Sequence, residues 1–313
     1  MNNIISKTNS EIIIHSKRKD LSSFKKKNVK IFSSIDKCLD EKPDVGLITN
    51  ETIYHVPTAK KLAEAGLDLF LEKPLSNSMK SVNELLNIIK RKNLITLMGC
   101  NLRFHTCIKE IKSLIEKQKI GKVISVQVEC GAYLPDWHPY ENYSNSYAAR
   151  DDLGGGIVLT CIHEIDYLYW FFGKVDDVYS FTEKLTDLQI DVEDYSGSLL
   201  KFKNKIIAEL HLDYFQKPSV RSCKIIGTKG QITWNWENNH VQIFKNKYKK
   251  WVTKNIEKKF DRNKMFVDEL QYFLKCVKKR KIPMNSIIDG LEPQKIALAI
   301  KKSSKCGKKI RMK

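Results

Sequence analysis

The chain has 313 residues, 42% of them hydrophobic, enough for two domains with cores of their own. Its 55 basic and 36 acidic residues give a formal net charge of +19. The lysines are dispersed, as in Lys25-Lys26-Lys27, Lys90-Arg91-Lys92 and Lys308-Lys309-Ile310-Arg311, and belong to no recognisable nucleic-acid module, so a solvated basic surface is expected, with neither nucleic acid nor a membrane as partner. No apolar run is long enough to span a bilayer and no charged-then-apolar leader opens the chain, so a cytoplasmic location is expected. The eight cysteines lack C-x-x-C pairs and histidines at ligand spacing, so they are expected to be reduced, packed thiols with no metal.

The first elements alternate. Residues 11–15 (Glu-Ile-Ile-Ile-His) read as a short apolar strand. Asp44-Val45-Gly46-Leu47-Ile48-Thr49-Asn50 reads as another, ending in small polar residues, with His55 just ahead of a helix over 57–65 that Gly66 caps. Asp68-Leu69-Phe70-Leu71 is a buried strand that runs into the turn Leu71-Glu72-Lys73-Pro74-Leu75-Ser76. A helix over 79–92 leads to a strand at 94–99 and then to Asn101-Leu102-Arg103-Phe104. Strands separated by helices predict a parallel sheet covered on its faces, and open α/β sheets hold ligands at the carboxyl ends of their strands. Lys73 sits at such an end, where its ammonium can hold a substrate hydroxyl, and Pro74 fixes the backbone. A solvated turn explains the same tripeptide.

After Phe104 the pattern changes, which puts a domain boundary near Arg103. A helix over 108–117 precedes a long strand at 123–129, and further strands are expected at 197–202, 206–212, 223–227 and 231–236. Turns such as Lys203-Asn204 and Thr228-Lys229-Gly230 are too short for parallel crossovers, so this sheet should be largely antiparallel. Between the domains lie Tyr133-Leu134-Pro135-Asp136-Trp137-His138-Pro139-Tyr140 and Tyr147-Ala148-Ala149-Arg150, whose aromatic and hydrogen-bonding groups suit a sugar ring. Arg150 can pair bidentately with a carboxylate or phosphate. A loop that packs Trp137 against the domain accounts for these residues equally well. Next, Gly154-Gly155-Gly156 feeds an apolar helix on which Thr160, His163 and Asp166 follow one another at spacings of three, so their side chains are neighbours. An imidazole there suits acid–base work, though a packed histidine is the plainer reading. Near the C-terminus, Phe266, Leu270, Phe273 and Leu274, then Leu291, Ile296, Ala297 and Ile300, form two amphipathic stripes that read as core.

In this order, Thr49-Asn50 with His55, Glu72-Lys73-Pro74, Gly99 with Asn101, Arg103 and Phe104, and Gly154-Gly155-Gly156 leading to His163 and Asp166 resemble the Gfo/Idh/MocA oxidoreductases, the family of glucose-fructose oxidoreductase, inositol dehydrogenase and rhizopine catabolism. The resemblance runs from about Glu11 to the C-terminus. It implies an α/β fold: a Rossmann-like parallel sheet over 1–103, then an α+β domain over 104–313 with a large, mostly antiparallel sheet that binds substrate and often pairs subunits into a homo-oligomer. Family members begin with a strand and a G-x-G-x-x-G loop that meets the cofactor pyrophosphate. This sequence has no such motif. Met1 to Lys7 resemble the tail of the first helix and residues 11–15 the second strand, so the first, central strand is expected to be missing and the dinucleotide-binding domain truncated.

The resemblance also implies roles. Ser16, Arg18, Thr49, Asn50, His55, Glu72, Lys73, Pro74, Asn101 and Arg103 correspond to cofactor-binding positions. Lys73, His163 and Thr160 form the catalytic set, and Trp137, His138, Tyr147, Arg150 and Asp166 face the substrate. Thr160 stands where the family usually carries an aspartate, and it can hydrogen-bond but brings no charge. After residues 11–15 no carboxylate precedes Asp20, and Lys17 and Arg18 tilt the expected cofactor from NAD toward NADP. The implied activity is NAD(P)-dependent oxidoreduction of a sugar or sugar-derived hydroxyl, and the stretch 133–173 resembles the branch tied to bacterial surface-sugar synthesis. The alternative is a truncated, noncatalytic member that keeps the scaffold as a sugar-binding or assembly protein.

Overall fold

A computed structural model describes residues 10–16, 28–254 and 261–312. The expectations placed on Met1 to Lys7, Lys17 and Arg18 lie outside the described residues. The first region holds strands β1 (Ile12–His15) and β2 (Val29–Phe32), helix α1 (Ile35–Asp40), strand β3 (Val45–Ile48), helix α2 (His55–Glu64), strand β4 (Asp68–Glu72), helix α3 (Val82–Arg91) and strand β5 (Thr96–Gly99). All strand pairs in it are parallel: β1 with β2, and β3 with β4 and β5. Every residue of β5 and the first four of β4 are buried, the continuous apolar pattern of strands covered on both faces. Among the described residues the β1–β2 pair and the three-stranded β3–β4–β5 group form separate sheets.

Helices α2 and α3 bury Val56, Ala59, Leu62, Leu85 and Ile89 against this sheet. Its other face is covered from the far end of the chain. The helix Arg262–Lys278 sets Phe273 edge-on to Phe70, ring centroids 5.7 Å apart, with Cys276 alongside. The segment after that helix closes the β5 edge: the Met98 amide donates to the Asn285 carbonyl oxygen at 2.7 Å, and Asn285 Nδ2 donates to the Met98 carbonyl oxygen at 2.7 Å. That supplies ladder partners an edge strand lacks.

The second region begins with α4 (Thr106–Glu116) and β6 (Val123–Gly131) and continues through α5 (Ile157–Thr160), α6 (Ile162–Phe172), β7 (Val175–Glu183), β8 (Tyr195–Phe202), β9 (Ile207–Asp213), β10 (Val220–Gly227), β11 (Gly230–Asn235), β12 (Val241–Lys245), β13 (Lys250–Lys254), α7 (Arg262–Lys278), α8 (Leu291–Cys306) and β14 (Ile310–Arg311). Nine strands form one sheet in the order β13-β12-β11-β10-β6-β9-β8-β7-β14, antiparallel except for the parallel β6–β9 pair. Along β8 buried residues alternate with partly or fully exposed ones, so one face packs on helices. Ile111, Ile165, Leu168 and Ile300 meet that face over Leu200, Leu210 and Ile225. The opposite face leaves Phe181, Leu199 and Ile207 exposed.

One sequence expectation needs correction, and three strands were not anticipated. The apolar run after Gly156 is two helices, because Cys161 leaves helical geometry between them (φ −94°, ψ 31°), so Thr160, His163 and Asp166 do not share one continuous helix. Strand β7 was hidden by its Asp176-Asp177 pair, where the register with β8 shifts between Val175 and Asp177. Strands β12 and β13 were hidden by lysines, which are poor strand formers.

Candidate functional site

The carboxyl end of β4 places Glu72 and Lys73, and the Lys73–Pro74 peptide that follows is cis. His55, buried at the start of α2, ties this turn to the end of β3, with Nδ1 2.6 Å from the Pro74 carbonyl oxygen and Nε2 3.0 Å from that of Asn50. Burial lowers its pKa, and a neutral imidazole donates from only one of its nitrogens. His55 thus acts as a brace between strand ends. Asn50 Nδ2 donates to Thr58 Oγ1 at 3.0 Å. Ser16, Thr49 and Asn101 follow the carboxyl ends of β1, β3 and β5, and Thr49 and Asn50 are exposed.

Lys73 Nζ donates to the Thr160 backbone carbonyl oxygen at 2.8 Å, at the break between α5 and α6. Burial alone works against the ammonium, but Tyr147, Glu72 and Cys161 outweigh it and raise the Lys73 pKa, so the side chain is charged. One turn on, His163 is buried. Desolvation pushes its pKa well down, and the charges of Lys73, Arg221 and Arg262 add to the effect. Among the described residues its buried Nδ1 has no hydrogen-bond partner. The result is a fixed ammonium whose charge reaches a neutral imidazole with an uncommitted nitrogen. Such a site can hold a hydroxyl oxygen and take its proton.

The glycines explain how these groups come together. A Cβ on Gly155 would lie 2.2 Å from the Tyr147 carbonyl oxygen, and Gly156, at φ 97°, lies against Glu193. Only a bare backbone lets the 147–150 loop close over the start of α5. Behind it, the buried Tyr214 hydroxyl donates to Thr160 Oγ1 at 2.7 Å, and the Trp137 ring meets Tyr214 edge-on at 5.4 Å.

Several residues assigned from the sequence are engaged elsewhere. Asp166 and Arg103 are both buried and pair through two contacts, Nε to Oδ2 at 2.8 Å and Nη2 to Oδ1 at 2.6 Å, while Arg103 also reaches Asp289 at 2.8 Å and the Met284 carbonyl oxygen at 3.0 Å. They form a brace from the turn after β5 to α6 and the 284–289 segment. Arg150 forms a two-pronged pair with Asp152 (2.9 and 2.6 Å) at the surface. His138 and Tyr140 hydrogen-bond each other at 2.9 Å, also at the surface.

Other neighbours carried no signal in the sequence. Tyr214 lies 54 residues from Thr160. The fully buried Glu164 pairs with Arg221, Nε to Oε1 at 2.8 Å, and the guanidinium also lies over the Trp236 ring. Among the described residues one set, Cys130, Cys161 and Glu164, brings metal-type donors together, and the Arg221 guanidinium already neutralises its carboxylate. Glu269, buried on α7, has its pKa raised well above the usual range by desolvation and then by Glu72 and Asp166.

Comparisons with known proteins agree with this arrangement. Residues 2–100 match the profile of an oxidoreductase family with an NAD-binding Rossmann fold, and residues 108–233 match the GFO/IDH/MocA C-terminal domain. Levoglucosan dehydrogenase from Pseudarthrobacter phenanthrenivorans is 26% identical over 223 residues, covering 62% of this chain and 56% of that protein. Myo-inositol 2-dehydrogenase from Thermotoga maritima is 25% identical over 277 residues, covering 84% and 78%. The match to Formosa agariphila oxidoreductase P35 likewise spans 59% of that protein, so the chain aligns with little more than half the length of the first curated relatives. A solved levoglucosan dehydrogenase in complex with NADH superimposes with a TM-score of 0.87 over 97% of this chain and 90% of that one, at 18% identity. An aldose-aldose oxidoreductase from Caulobacter crescentus does so at 0.82 over 97% and 91%, at 16% identity. With its two consecutive stretches matching the family's nucleotide-binding and C-terminal profiles in order, the chain belongs to the Gfo/Idh/MocA family of NAD-binding oxidoreductases.

Proposed function

We propose that this protein is an NAD(P)-dependent oxidoreductase acting on a sugar or sugar-derived hydroxyl. The observation that carries the reading is the charged Lys73, held at the start of the helix that bears His163, whose buried Nδ1 has no partner among the described residues. A nicotinamide, when bound, would exchange a hydride with the substrate carbon. The residues at the strand ends suit its nicotinamide half: Thr49, Asn50, Glu72, Lys73, Pro74 and Asn101 line the carboxyl side of the parallel strands, where such cofactors lie. The pyrophosphate half finds no glycine-rich loop in this sequence. The lean from NAD to NADP rests on Lys17 and Arg18.

In this reading Lys73 Nζ holds the reacting hydroxyl oxygen and stabilises negative charge on it, and the His163 imidazole accepts the proton as the alcohol is oxidised or returns it in the reverse direction. Thr160 holds Lys73 through its carbonyl oxygen and is itself held by Tyr214. Tyr147 and Trp137 supply the wall for a sugar ring, His138 and Arg150 the rim. Names of relatives suggest anhydrosugars, inositols and sugar phosphates as candidate substrates. A role in surface-glycan synthesis rests on the likeness of 133–173 to that branch. A homo-oligomer paired through the exposed sheet face and a cytoplasmic location complete the reading; no helix among the described residues is long and apolar enough to cross a membrane.

A second reading, a noncatalytic sugar-binding or assembly protein, is favoured by the separate β1–β2 and β3–β4–β5 sheets and by the uncharged Thr160. Fluorescence titration with NADH and NADPH, followed by absorbance assays with levoglucosan, myo-inositol and glucose 6-phosphate, separates the two. Nucleotide binding with turnover of any of these supports the enzyme. Binding of sugar without nucleotide supports the second reading.

A further inference from the structure

Three turns at one end of the nine-stranded sheet are joined edge to edge by their backbones. The Lys229 amide donates to the Ile120 carbonyl oxygen at 2.8 Å, the Thr228 amide to that of Lys122 at 2.9 Å, and the Asn246 amide to that of Lys229 at 3.1 Å. Residues 117–122, 228–230 and 245–250 together carry eight lysines and no acidic residue. All but Lys245 are exposed, and among the described residues none of the eight makes an ion pair. Two of them, Lys245 and Lys247, lie over the ring of Tyr248, itself 57% exposed at the tip of the β12–β13 hairpin, and the neighbouring Trp251 is 44% exposed. The sequence, read linearly, scatters these lysines; the sheet assembles them.

We infer that this end of the sheet is a docking surface for an anionic lipid bilayer. A row of short turns with outward lysines can meet a planar layer of anionic headgroups along its whole length, and each ammonium near such a surface adds to the attraction. Tyr248 and Trp251 have apolar rings and polar tips, the amphipathic form that settles at the headgroup level. Among the described residues β13 is the edge strand of the sheet, and no described strand lies between the hairpin and a flat surface. This surface is peripheral and calls for no membrane-spanning segment.

The test is co-sedimentation of the full chain with phosphatidylcholine vesicles, with and without phosphatidylglycerol. Wild type is expected to pellet only with the anionic vesicles and to be released by high salt. Lys247→Glu/Lys249→Glu/Lys250→Glu should weaken partitioning by about tenfold or more. The Lys302→Glu/Lys305→Glu reversal on α8, with unchanged melting in both variants, should leave it intact. Absence of binding to anionic vesicles, equal binding by the hairpin variant, or equal loss in the α8 variant overturns the inference. Preferential capture by duplex DNA over the vesicles also overturns it, in favour of a polyanion.

Discussion

The Lys73 ammonium reaches across 87 residues of sequence to the Thr160 carbonyl oxygen, 2.8 Å away, and so fixes the end of β4 against the break between α5 and α6. An ammonium has three donors, and this contact uses one, leaving others for a substrate oxygen. Lys73→Met is expected to lower kcat by roughly 100-fold or more while changing nucleotide affinity little, read from steady-state kinetics and nucleotide titration. A loss confined to affinity would reassign Lys73 to cofactor binding.

His163→Ala should abolish turnover without unfolding the protein, since the residue serves the reacting hydroxyl and its removal leaves only a local cavity. Turnover measured with the variant decides this, and unchanged rates would remove His163 from the mechanism.

The Tyr214 hydroxyl donates to Thr160 Oγ1 in a fully buried setting. Thr160→Val keeps the shape and removes the nearer acceptor, leaving the Tyr214 hydroxyl only its longer contact to the Ala148 carbonyl oxygen at 3.3 Å, so a stability loss of about 1 kcal/mol is expected in urea denaturation. Tyr214→Phe in the same background should restore most of it, since both partners are then gone.

Asp166→Leu leaves the buried Arg103 without its two-pronged partner, though Asp289 remains at 2.8 Å. The expected loss is about 3 kcal/mol, toward the lower end for breaking a buried ion pair, measured by thermal unfolding. A variant that lost sugar affinity at unchanged stability would instead make Asp166 a substrate contact.

Two buried groups set opposite pH dependences. His105, wholly buried, has its pKa lowered to about 4 by desolvation and by nearby Arg221 and Lys109. The unfolded chain takes up a proton below about 6.5 that the folded one refuses, so stability should fall as pH drops from about 6.5 toward 4, by up to about 3 kcal/mol. Glu269 behaves in reverse. Its pKa is raised by burial, so the folded state keeps a proton that the unfolded state has lost, and stability falls as pH rises above the ordinary glutamate range. Glu269→Gln should therefore stabilise the protein at pH 8 and leave it nearly unchanged at pH 4, as urea midpoints across that range will tell.

The sequence by itself determined the elements whose environment is uniform along the chain. The strand at 68–72 carries the unbroken apolar run Leu69-Phe70-Leu71 because both faces are covered there, so its position and the Lys73 that follows it were legible without a partner in view. The alternating strands of the second sheet were legible for the corresponding reason, one face buried and one not. Tertiary structure decided what depends on groups far apart in the chain. The run from Ile157 to Phe172 contains no proline or glycine to mark the break at Cys161; packing against β4 and Tyr214 imposes it. Arg103 and Asp166, 63 residues apart, were assigned to cofactor and substrate, and the fold spends them on each other because a buried guanidinium must find a carboxylate. The lysines of three separate turns become one surface only when sheet register sets those turns side by side, and no local periodicity encodes that register.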